Sequence, residues 1–166
     1  MELLKEYLTP WLISNSIALL FLVSAVRKPK LARFLFSLLF FWAFWLNYTT
    51  AQNNPNDYLE YAVFSPFDLY VDFINGWFKS HISSMVKLIA FGQGLIAIGM
   101  FLKGWIFRIA SFGAIVFFLA IAPLGIGSGF PATLIAAVAM YFILINDDLN
   151  YLWYFKKSKS NLGNPK

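Results

Sequence analysis

Five apolar stretches, joined by short turns and one long polar insert, constrain this chain more than any other feature. In hydrocarbon no water is present to satisfy backbone N–H and C=O groups, so a crossing segment must satisfy them internally, as a helix does. A helix rising about 1.5 Å per residue through a core near 30 Å needs roughly 20 mostly apolar residues. The stretches run over 8–26, 31–48, 85–102, 109–125 and 130–145. The last, at roughly 16 residues, is marginal for a full crossing. Only 13% of the 166 residues are charged while 60% are hydrophobic, against about 25% charged in soluble domains. Mean hydropathy is +0.65. The spans leave little chain for a soluble domain, so the expected fold is all-α, a single polytopic membrane helix bundle spanning 1–166.

The first stretch carries Pro10 in its first turn, where a missing amide hydrogen costs least. Val23, Ser24 and Ala25 would pass as a signal-peptide cleavage site, but Lys5 is offset by Glu2 and Glu6, leaving no cationic leader. An uncleaved helix is therefore expected. Pro29 separates it from the second stretch, which ends in Trp42, Trp45 and Tyr48, residues suited to a membrane interface.

The short basic turns set an expected orientation. Arg27, Lys28 and Lys30, with Arg33 just inside the next helix, follow the first span; Lys103 and Arg108 follow the third; Lys156, Lys157, Lys159 and Lys166 lie in the tail, 146–166. With five crossings all three groups fall on one side, whereas the long second connection holds Asp57, Glu60, Asp68 and Asp72 against Lys79. The positive-inside rule then places the N-terminus outside and the C-terminus in the cytoplasm. The net charge of +5 is thus assigned to anionic lipid contact at the bilayer surface, and nucleic acid is not expected as a partner.

The long connection is itself patterned. Over 58–82, Tyr61, Phe64, Phe67, Tyr70, Val71, Ile74, Trp77 and Phe78 follow helical spacing, with Asp68 and Asp72 four apart. It is too polar to span, so one or two amphipathic helices capping the outer mouth are expected.

Polar groups inside hydrocarbon need a partner or a purpose. Gln93 lies near the middle of the third span between Gly92 and Gly94. It is a candidate to hold a quinone-like headgroup or a small polar ligand, or else an interhelical hydrogen-bonding group for a neighbour such as Ser111 or Thr133. Lys87, before it on the same span, either snorkels to the headgroups or pairs with Asp68 and Asp72. His81, the single histidine, belongs to the same outer layer and is either simply solvated or grouped with these carboxylates. Gln93, Lys87, Asp68, Asp72 and His81 therefore form the candidate ligand site. Small residues at Ala90, Gly92, Gly94 and Gly99 read as packing surfaces that let helices approach. With no cysteine, phosphate-binding loop, His-Glu-x-x-His, paired haem histidines or Ser-His-Asp set, no metal site is expected, and a self-sufficient redox enzyme is disfavoured.

The third span and its turn, KLIAFGQGLIAIGMFLKGWIFRIASFGAIVFF, and the hairpin IAPLGIGSGFPATLI resemble the DoxX family of small bacterial membrane proteins. These are relatives of the small subunit of thiosulfate:quinone oxidoreductase. The resemblance covers about 31–152 and implies a four-helix core in the bacterial inner membrane, with 8–26 as an extra first helix. It further implies a subunit of a redox or oxidative-stress complex, with a quinone as the possible ligand and a separate redox protein or a second copy as partner. Gln93 stands where family members often carry an acidic residue. A non-catalytic assembly subunit that docks a partner through its outer amphipathic helix is the alternative, with Tyr70, Ile74 and Trp77 as the docking face.

Overall fold

The computed structural model describes residues 2–154, with side chains described from residue 8 onward, and every regular element among them is helical. α1 (Glu2–Arg27) and α2 (Pro29–Asn53) meet in a turn at Lys28. Pro29 occupies the first position of α2, where its lack of N–H leaves no hydrogen bond unmade. Both helices run beyond the apolar stretches from which they were read.

The outer connection is more broken than its spacing suggests. A 3₁₀ turn (Pro55–Glu60), α3 (Tyr61–Phe64) and α4 (Asp68–Phe73) precede a wide π turn (Ile74–Phe78) that runs into α5 (Lys79–Gly99). Pro66 stands between α3 and α4, and Gly76 (φ −94°, ψ −109°) leaves helical geometry inside the π turn. α6 (Gly104–Ile121) then passes through a 3₁₀ run (Ala122–Ser128) to α7 (Ala132–Asn146).

Among the described residues four runs are long and apolar enough to cross a membrane: Leu8–Arg27, Pro29–Asn53, Asp68–Gly99 and Gly104–Ser128. Leu20, Leu88, Trp105 and Phe112 stand exposed along them, the pattern of side chains that face lipid. The chain is a multi-pass membrane protein. α7 has 15 residues, about 22 Å of helix, and is short for a span. It is also well enclosed, with Ala132, Ala136, Ala137, Ala139, Met140 and Ile143 buried between α1, α2 and α6. Both ends are tied: the Trp11 indole N–H donates to Phe130 O (2.6 Å) and Asn15 Nδ2 to Gly129 O (3.2 Å), while Asp147, just past the other end, pairs with Arg33.

Phe36 and Phe40 of α2 meet Phe118 of α6 at ring separations of 5.9 and 5.3 Å in the main core. α5 and α6 touch closely near their connecting turn, where a Cβ on Gly99 would sit 2.5 Å from that of Ala110. Such contact leaves no room for a larger residue. Toward their far ends the outer connection fills the space between them and packs a second core of Ala51, Ile74, Phe78, Ile82 and Val86.

Candidate functional site

Between the long connection and the ends of α5 and α6 that adjoin it lies a cavity of about 320 Å³. α2 supplies Asn47; the connection supplies Tyr58, Tyr61, Tyr70, Phe73, Ile74 and Phe78; α5 supplies Met85, Val86 and Ile89. α6 and the following turn complete it with Phe117, Ala120, Ile121, Leu124 and Ser128. The wall is overwhelmingly apolar, and no lining residue is charged.

The connection is fastened over the cavity by specific contacts. Ser65 Oγ donates to Pro123 O and Tyr70 Oη to Ala120 O, each at 2.9 Å. Gly125 lies at φ +67°, and a Cβ there would collide with the carbonyl oxygen of Phe64, so only glycine serves at this contact.

One line of polar groups reaches the cavity wall. Tyr58 Oη donates to Asn47 Oδ1 (2.9 Å), and Asn47 Nδ2 donates to Gln93 Oε1 (2.8 Å). Gln93 is 2% exposed. Burial pushes the Tyr58 phenol up to about 12, with Tyr61 and Asp57 adding to the effect.

The structure separates the five expected site residues. Gln93 bonds to neither Ser111 nor Thr133, whose buried hydroxyls have no hydrogen-bond partner among the described residues. The close pairing of α2 with α5 instead sets Asn47 opposite Gln93. Lys87 reaches Gln52 and lies 5.8 Å from the centre of the Tyr48 ring, not beside a carboxylate. Asp68 and Asp72 are exposed and make no ion pair among the described residues. His81 stacks on Trp77 at 4.4 Å, its Nδ1 lying 2.9 Å from Trp77 O. None of Lys87, Asp68, Asp72 and His81 lines the cavity. Helical spacing explains this: on α4 and the π turn Tyr70 and Ile74 face inward, which leaves the two aspartates on the opposite side. For the same reason Tyr70 and Ile74 are not available as an outer docking face with Trp77.

At the opposite end Arg27, Lys28, Lys103 and Arg108 are exposed, whereas the Arg33 side chain is held inside the bundle. It is 0% exposed. Its Nη1 donates to Asp147 Oδ1 (2.9 Å) and Asn150 O (2.8 Å), and its Nε and Nη2 donate to Met100 O and Leu102 O. The Phe107 ring centre lies 3.8 Å from the guanidinium carbon. Met100 and Leu102 follow directly on α5, so Arg33 satisfies carbonyls at a helix end that lack helical partners. Nearby, Lys30 pairs with Asp148 (3.2 Å) and donates to Tyr154 O. Two sequence signals pointed here: an arginine inside an apolar span and adjacent aspartates just beyond the last one. The tail lysines, Lys156, Lys157, Lys159 and Lys166, lie outside the described residues.

Comparison of the chain with protein-family models, with curated proteins and with solved structures finds no match to any of them.

Proposed function

We propose that this is a bacterial inner-membrane protein, similar to the DoxX family, that holds a small neutral lipophilic molecule of the quinone class in the outer half of its bundle. In this reading it serves a redox or oxidative-stress complex by binding and positioning that molecule, and electron transfer belongs to a separate redox protein. The N-terminus lies outside and the basic end of the bundle faces the cytoplasm, in keeping with the positive-inside rule.

The observation that supports the reading is the apolar cavity of about 320 Å³ with the Tyr58–Asn47–Gln93 line at its wall. This volume is at the small end of ligand pockets, roughly 300–1,000 Å³, and suits a single ring whose tail leaves into lipid. The uncharged lining favours a neutral occupant, since an unpaired ion loses its hydration without compensation there. Gln93 acts at one remove, by holding Asn47. The test is titration of the detergent-purified protein with a decyl-hydroquinone, followed by tryptophan fluorescence. Saturable quenching that is lost in a Leu124→Trp variant supports the reading; non-saturable quenching that the variant leaves unchanged contradicts it.

The assembly reading keeps one supporting observation. Val63 (72% exposed), Leu69 (77%) and Trp77 (55%) form an outward apolar surface on the connection. It predicts that serine at these three positions abolishes recovery of a partner protein while the Leu124→Trp variant recovers it normally.

A further inference from the structure

Resting on the cavity reading above, we propose that the bound molecule presents a hydroxyl donor, as a phenol or hydroquinone ring does, and that the site discriminates against rings carrying only carbonyl or ether oxygens. The inference comes from counting hydrogens on the cavity wall. A hydroxyl carries one hydrogen and two lone pairs. Tyr58, Tyr70 and Ser128 all line the cavity, and each directs its hydrogen to an internal acceptor at 2.9 Å: Asn47 Oδ1, Ala120 O and Gly125 O respectively. These three oxygens retain only lone pairs for a ligand. Asn47 receives Tyr58 on its oxygen and gives one N–H to Gln93, keeping a single N–H. Among these four side chains acceptors therefore outnumber free donors by three to one.

A carbonyl ligand seeking a hydroxyl donor must draw a hydrogen away from an oxygen inside the protein, leaving that acceptor short in a low-dielectric wall. A ligand hydroxyl occupies an existing lone pair and breaks nothing. The absence of charge among the lining residues keeps the ligand hydroxyl in its neutral, hydrogen-donating form.

The test uses the full chain in detergent micelles and two probes of matched body, 4-heptylphenol and 4-heptylanisole, in which a methyl group replaces the hydroxyl proton. Binding is measured by isothermal titration with correction for micelle partition. The phenol is expected to bind about five-fold tighter, the effect of one additional hydrogen bond. That preference is expected to shrink toward unity in a Tyr58→Phe/Tyr70→Phe/Ser128→Ala variant. Should this variant not fold, Tyr70→Phe and Ser128→Ala singly must lower the preference in at least one case. Equal affinity for the two probes, with both lost in Leu124→Trp, overturns the hydroxyl requirement while leaving the cavity as a ligand site. Saturable binding of neither probe overturns the cavity reading and this inference together.

Discussion

Replacing Arg33 with methionine is expected to be among the most damaging single changes at the basic end of the bundle. The Arg33 and Asp147 side chains are both 0% exposed and their atoms lie 2.9 Å apart, so water does not screen the pair. Removing one member of such a pair leaves an uncompensated buried charge, which costs about 3–5 kcal/mol. Arg33 also donates to Met100 O, Leu102 O and Asn150 O, which lose their donor at about 1 kcal/mol each. Arg33→Met is therefore expected to cost about 4 kcal/mol or more, and Asp147→Leu a similar amount. Combining them removes both charges and leaves mainly the three carbonyls, about 3 kcal/mol in all, so the double variant is expected to lose less than either single one. The coupling, about 3 kcal/mol or more, is at or beyond the upper end of what contacting residues show. Unfolding of the detergent-solubilised protein by a graded fraction of dodecyl sulfate, followed by circular dichroism, gives all three values. Single-variant losses below about 1 kcal/mol, or additivity within about 0.5 kcal/mol, would refute this account of the inner layer.

Three further outcomes concern Tyr58, the Gln93 hydrogen bond and the contact between α5 and α6. Tyr58 is expected to ionise near 12, against about 10 for a free phenol; its raised value favours the folded state fully below about pH 10 and loses that contribution as pH rises through 12. Absorbance titration near the phenolate band should show a late-titrating group that disappears in Tyr58→Phe. Gln93→Leu strands Asn47 Nδ2 and is expected to cost about 0.6–1.7 kcal/mol of unfolding free energy, whereas Ser111→Ala should change it by less, since that hydroxyl has no partner among the described residues. Gly99→Val forces α5 and α6 apart where a Cβ already meets Ala110 at 2.5 Å, and a melting scan should show a loss of about 1–3 kcal/mol.

Much of the fold was legible because span length and hydropathy are local properties. The five apolar stretches become α1, α2, α5, α6 and α7, with ends shifted where helices extend past the apolar residues, as α2 does to Asn53. The outer connection was readable as helical and amphipathic, but Pro66 and Gly76 divide it in ways that spacing alone does not register. The candidate site was legible only in its depth. Gln93 does belong to a buried polar line, but its partner Asn47 is 46 positions away, and which helices pair is decided by packing. Lys87, Asp68, Asp72 and His81 share a layer without sharing a site, because a layer fixes height and not azimuth around a helix. Arg33 was read as an anchor by its position beside a basic turn; its actual partner, Asp147, is 114 positions distant, and a charge-counting rule is blind to pairing.

The proposal that the cavity faces the extracytoplasmic side is open to a direct and background-free test, because the chain has no cysteine. Single cysteines are introduced at exposed Asp57 and Asp68 on the outer connection and at exposed Lys103 and Asp148 at the basic end. They are then probed in intact cells with a membrane-impermeant maleimide. Labelling at Asp57→Cys and Asp68→Cys without permeabilisation, with Lys103→Cys and Asp148→Cys labelled only after it, is the predicted result; labelling of all four from the same side would contradict it.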